Sequence, residues 1–118
     1  MAAWSVLYSG SNSISTTEFS LTLNSTSGAP ASKTDKGTMQ LVLDVSAMIA
    51  GDQYELKLYD KARSGDTQRL ASRWTMTGAQ AEPLFITPAL MLGDGWDFTF
   101  KRLAGSDRTI ISSIRSYG

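Results

Sequence analysis

The chain has 118 residues, 42% of them hydrophobic and 19% charged, with eleven acids balanced by eleven bases and with neither cysteine nor histidine. That length suffices for one core and not for two. Disulfide and thiolate chemistry are excluded, and the usual near-neutral general base and commonest metal ligand are missing. A net charge of zero also supplies no field to hold nucleic acid non-specifically. The expectation is one non-enzymatic domain over residues 1–118, binding no nucleic acid and needing no cofactor.

Alternating apolar and polar residues, the mark of a strand with one buried face, recur from the first residues onward. "WSVLYS" opens the series, and "EFSLTL" puts Phe19, Leu21 and Leu23 on one face with Glu18, Ser20 and Thr22 on the other. Residues 24–37 are polar and rich in Ser, Thr, Ala, Gly and Pro, which predicts either a mobile surface loop or an arm that orders on a partner. "TMQLVLDV" aligns Met39, Leu41, Leu43 and Val45, while Val42 suggests that its second face is partly covered. A helical turn is allowed in "DVSAMIAGD", where Ser46 can cap and Gly51 can end it. "QYELKL" aligns Tyr54, Leu56 and Leu58, and "QRLASRWTM" aligns Leu70, Trp74 and Met76, with Arg69 and Arg73 turned outward.

"PLFIT" reads as a short strand, and "TPALMLGDG" as a second candidate helical turn, since Pro88 suits a first helical position. "GDGWDFTFKRLAGSDRTIISSI" is a hairpin, with Trp96, Phe98 and Phe100 on one face, then Ile110 and Ile114 on one side and Ile111 on the other. With turn residues at each break, about eight strands predict an all-β antiparallel sandwich or jelly-roll-like barrel with at most one or two short helical turns. The N-terminal "MAAWSVLYSG" has no basic n-region and no apolar stretch of signal-peptide length, and no later run suits a membrane span. Neither export nor membrane association is expected.

Candidate chemistry is thin. Asp94 and Asp97 flank a Gly-Trp pair, short of the ordered set of oxygens that calcium needs, so both read as turn or solvated acids; Asp52 and Asp66, each after a glycine, read likewise. A glycosidase would require two carboxylates facing across a cleft, and Glu18, Glu55 and Glu82 read as solvated. Trp74 and Trp96 fall in phase with aliphatic residues and belong to the core. Tyr59 falls out of phase with Leu56 and Leu58, beside Lys57, Lys61 and Arg63. The segment "KLYDKARSGDTQR" is therefore the predicted partner contact, through Tyr59, Lys61 and Arg63, together with Lys33 and Lys36 of the arm. Up to Leu56 acids outnumber bases, and after it bases outnumber acids, an asymmetry that would help copies associate.

In layout, the run from "AAWSVLYSGSNSISTTEFSL" through "GTMQLVLDVSAMIAGDQYELKLYDKARSGDTQR" and "RWTMTGAQAEPLF" to the closing hairpin resembles small virion proteins of tailed bacteriophages, nearest to the capsid decoration or cement proteins. The resemblance implies a β-sandwich or barrel domain, made in the host cytoplasm and bound outside the capsid. It also implies the major capsid protein or other virion proteins as partners, and a homo-oligomer, with a trimer as the arrangement suited to local threefolds. A head-tail connector or tail component fits the same layout. A carbohydrate-binding module is the reading from another class, and it predicts that at least two of Trp4, Tyr8, Tyr59 and Tyr117 are exposed on one surface.

Overall fold

The alternating runs of the sequence become strands. A computed structural model describes residues 4–117, in which the regular elements are β1 (Trp4–Ile14), β2 (Phe19–Ser20), β3 (Gly37–Asp44), β4 (Gln53–Asp60), β5 (Arg69–Thr77), β6 (Leu84–Ile86), β7 (Leu90–Leu92), β8 (Asp97–Ala104) and β9 (Arg108–Tyr117). They pair antiparallel into two sheets that pack as a β-sandwich and do not close into a barrel. Sheet I runs β1-β9-β3, with β6 and β7 lying end to end along the far side of β3. Sheet II runs β2-β8-β4-β5. The predicted hairpin is thus divided, its first arm β8 in sheet II and its second arm β9 in sheet I.

The core lies between the sheets and is the sum of their apolar phases. Sheet I contributes Met39, Leu41, Leu43, Ile110 and Ile114, and sheet II contributes Tyr54, Leu56, Leu58, Phe98 and Phe100, with Trp96 at the entry to β8. The Tyr54 and Phe100 rings stack with centroids 5.3 Å apart, and Trp96 meets Phe98 edge-on at 6.1 Å. Full burial of each such large apolar side chain stabilises the fold by about 1.5–3 kcal/mol, which explains why the phase of these strands decides the architecture.

Where the chain departs from expectation, a local bond explains it. β2 is only two residues long, because the chain turns at residues 21–24 with Asn24 in the left-handed region (φ 51). Phe19 and Leu21 stay in the core while Leu23 swings into solvent. Neither helical turn forms. Residues 45–52 close tight turns, the Met48 N–H donating to the Val45 carbonyl at 3.0 Å and the Asp52 N–H to the Ile49 carbonyl at 3.1 Å. At Thr87 the backbone N–H donates to the Leu41 carbonyl at 3.0 Å while the side-chain hydroxyl accepts the Leu41 N–H at 3.0 Å. One residue thus supplies both bonds of a ladder rung between β6 and β7, and the chain stays extended there.

Candidate functional site

The residues predicted for a partner contact occupy different places. Lys36 and Lys61 line one hollow of about 460 Å³ beside Asp60, Asp94 and Tyr117, with the Lys36 ammonium 3.9 Å from Asp94. Arg63 is held in an exposed turn by Asp66 at 2.9 Å. Lys33 stands over the Tyr8 ring, 5.4 Å from its centroid. Tyr59 lies on the outer face of sheet II, its hydroxyl donating to Glu18 Oε1 at 3.3 Å.

That tyrosine belongs to a charge cluster. Lys57 Nζ sits 3.3 Å from Glu18 and 3.4 Å from Glu55, all three side chains largely withdrawn from water, and Arg73 closes on Glu55 at 3.3 Å. Glu18 and Glu55 are therefore not solvated acids, and they clamp a lysine between them instead of facing each other across a cleft. Burial lowers the Lys57 pKa, but the hydrogen bond to Glu18 and the surrounding negative groups outweigh it and leave it raised. Burial, followed by the Glu18 charge, raises that of Tyr59.

Asp97 is another acid that is not solvated. It is fully buried on the outer side of β8, where its carboxylate accepts from the Ser20 hydroxyl at 2.6 Å, the Thr22 hydroxyl at 2.8 Å and the Ala31 N–H at 2.8 Å. The cover over it is the segment 24–37. Lys33 exchanges two backbone bonds with Trp96, at 2.9 and 3.0 Å. Gln68 donates to the carbonyls of Ala31 and Gly95 at 2.6 and 2.9 Å. The Trp96 indole donates to the Asp35 carbonyl at 2.9 Å, and the Tyr8 hydroxyl to the Asp35 carboxylate at 2.5 Å. Burial first, then that carboxylate, pushes the Tyr8 pKa up to about 12.

Exposed apolar side chains gather on the outer face of sheet I, around a buried Val42. Seven of the eleven exposed large hydrophobic side chains lie there: Trp4 and Val6 on β1, Leu84 and Ile86 on β6, Met91 on β7, and Ile111 and Tyr117 on β9. Met91 is 88% exposed, Trp4 61% and Tyr117 54%. Trp4 and Tyr117 are cross-strand partners, and with Gln40, Thr38 and Arg115 they line a hollow of about 420 Å³. A second hollow of about 210 Å³ lies further along, between Val42, Asp44, Leu84, Ile111 and Arg115.

The strands of sheet I hold only three charged residues, and one of them, Arg108, is tied to Asp52 at 2.7 Å. The strands therefore give the outer face one cation and one anion, Arg115 and Asp44, and the loop residues Lys36 and Asp94 adjoin its Met91–Tyr117 end. The Arg115 guanidinium stands over the Trp4 ring at 5.2 Å, and its Nε is buried without a hydrogen-bond partner among the described residues. Apolar residues in both phases of β3 and β9, Val42 and Ile111 among them, were the signal for this face in the sequence. Periodicity alone assigns such residues to partial cover and not to an open surface.

No protein-family model matches the chain, and neither a curated protein nor a solved structure matches it. The functional reading accordingly rests on the surface just described.

Proposed function

We propose that this chain is a non-catalytic structural protein of a tailed-phage virion, a decoration or cement protein that binds the assembled head and stabilises it. The observation supporting this reading is the outer face of sheet I, apolar and nearly free of charge in a chain whose other surfaces are charged. Contiguous apolar surface of that kind marks contact with other protein subunits. A protein with no net charge also packs in many copies without mutual repulsion. Binding to the assembled shell alone shifts its equilibrium away from disassembly by mass action.

Co-sedimentation of the purified chain with undecorated phage heads tests the proposal. Saturable pelleting, with decorated heads losing their DNA at a higher temperature than bare ones, is the expected result. Binding to isolated tails and not to heads would move the protein to a connector or tail position. Binding to neither would end the virion reading.

One observation favours a second reading. Trp4 and Tyr117 are exposed side by side next to Gln40, Thr38 and Arg115, as a carbohydrate-binding face requires. Quenching or enhancement of tryptophan fluorescence on adding soluble glycans, abolished by Trp4→Ala, would support it.

A further inference from the structure

We propose that the outer face of sheet I is a homodimer interface, in which two copies pack this face against itself with strands antiparallel and Arg115 of each copy meets the partner's Asp44. The inference rests on reading that face as a contact between protein subunits and names a second copy as its occupant, so that a dimer would meet a head through its remaining surfaces. It does not depend on the chain's place in a virion.

The arrangement of charge carries it. In the middle of the sheet, β3 and β9 place Gln40 opposite Arg115, Val42 opposite Ser113 and Asp44 opposite Ile111. Arg115 and Asp44 thus stand two residues to either side of the Val42–Ser113 rung, each about 6–7 Å from it along the strands. Neither is in an ion pair among the described residues. A two-fold axis lying across the strands at the level of Val42 and Ser113 exchanges the two ends of the face. It sets Arg115 over the partner's Ile111–Asp44 rung, and does so twice, once for each copy. Two opposite charges on the strands, at equal distances to either side of that rung, are complementary to their own copies in that orientation.

The remaining geometry agrees. The sandwich measures 40 × 33 × 20 Å, so a broad face can supply the roughly 800 Å² per partner that a standard interface buries. Ser113, Ser9 and Ser11 on the outer face are small enough to let a second sheet approach to the usual separation of about 10 Å. The alternative route to a dimer is strand addition at an open edge, and both long edges are defended against it. An extra residue bulges β1 at Leu7 and β5 at Ala71, and bulges at edges twist the free backbone away from a flat partner.

The test is the solution mass of the wild-type chain and of charge-reversed variants, read by sedimentation equilibrium over a wide concentration range. Wild type is expected at twice the monomer mass. Arg115→Asp and Asp44→Arg are each expected to weaken the dimer at least about tenfold, and the double reversal to recover most of the loss by restoring the pair. Because Asp44 also accepts the Ser46 N–H at 3.0 Å, a second readout leaves the charges in place. Ser113→Cys provides a single thiol in a cysteine-free chain, close to the proposed axis, and a short bis-maleimide should link it to its copy in high yield. Thr75→Cys, exposed on sheet II, should stay unlinked. A wild type that is monomeric throughout, or equal cross-linking at both positions, overturns the interface. Such a monomer that still co-sediments with heads would leave the virion proposal standing, whereas a dimer that binds no heads would leave only the interface.

Discussion

In the turn after Gly51, the Asp52 carboxylate accepts from Arg108 Nε at 2.7 Å, the Ile49 N–H at 3.0 Å and the Ser106 N–H at 3.2 Å. It ties the β3–β4 turn to the β8–β9 turn, two points far apart in sequence. Gly105 makes room for it, for a Cβ there would meet the Asp52 Cα at 2.7 Å and the residue sits at φ 88. The hydrogen bond from Arg108, followed by the backbone N–H groups, holds the Asp52 pKa at about 2, below its ordinary 3.8. A carboxylate whose pKa falls on folding stabilises the fold fully above its unfolded value and loses that contribution as pH falls through the folded one. Wild-type stability, followed by tryptophan fluorescence in urea, should therefore decline between pH 3.8 and about 2. Asp52→Asn should be less stable at neutral pH and show a flatter profile in that window. An unchanged profile would mean that the carboxylate does not lock the two turns.

At the level of elements, the segment 24–37 and strand β8 depend on each other through Asp97. Replacing Asp97 with alanine removes three hydrogen bonds to a carboxylate, leaving the buried Ser20 and Thr22 hydroxyls only each other at 3.3 Å and the half-buried Ala31 N–H without its acceptor. The expected cost is about 3 kcal/mol in urea unfolding, with faster proteolysis between residues 24 and 37 than in wild type. A cost of only a few tenths would show that the arm is held by its backbone bonds to Trp96 alone. The same region shows what was legible in advance. β3, β4 and β8 could be read closely because their inward residues are large and strictly alternate, and the sandwich follows from them. Ser20, Thr22 and Asp97 had the pattern of a solvent face. They are buried because the arm crosses over them, a long-range contact on which local periodicity is silent. In "KLYDKARSGDTQR", the out-of-phase Tyr59 beside Lys57, Lys61 and Arg63 marks an outward strand end, but not that Asp66 pairs with Arg63 or that the sequence-distant Glu18 accepts from Tyr59. The outer face of sheet I was hidden for another reason. Alternation assigns residues to faces, but whether a face is covered depends on which strands pair, and pairing is not encoded in period two.

For the molecule as a whole, the strand order ranks stability. β9 and β3 are paired on both sides in sheet I, as are β8 and β4 in sheet II, while β1 and β5 each have one neighbour. Amide hydrogen exchange should be slowest in the four inner strands and faster in β1 and β5; protection of β5 equal to that of β4 would contradict this ranking. The long β1–β9 ladder also has a mechanical consequence. Trp4 faces Tyr117 at one end and Ile14 faces Arg108 at the other, so tension applied between Trp4 and Tyr117 acts across the ladder and loads its rungs one after another. The pair would peel open at low force. Tension entering at Trp4 and leaving through Arg108 would instead run along the strands and be shared by every rung at once, so the direction of pull, more than the number of bonds, decides how firmly β1 holds.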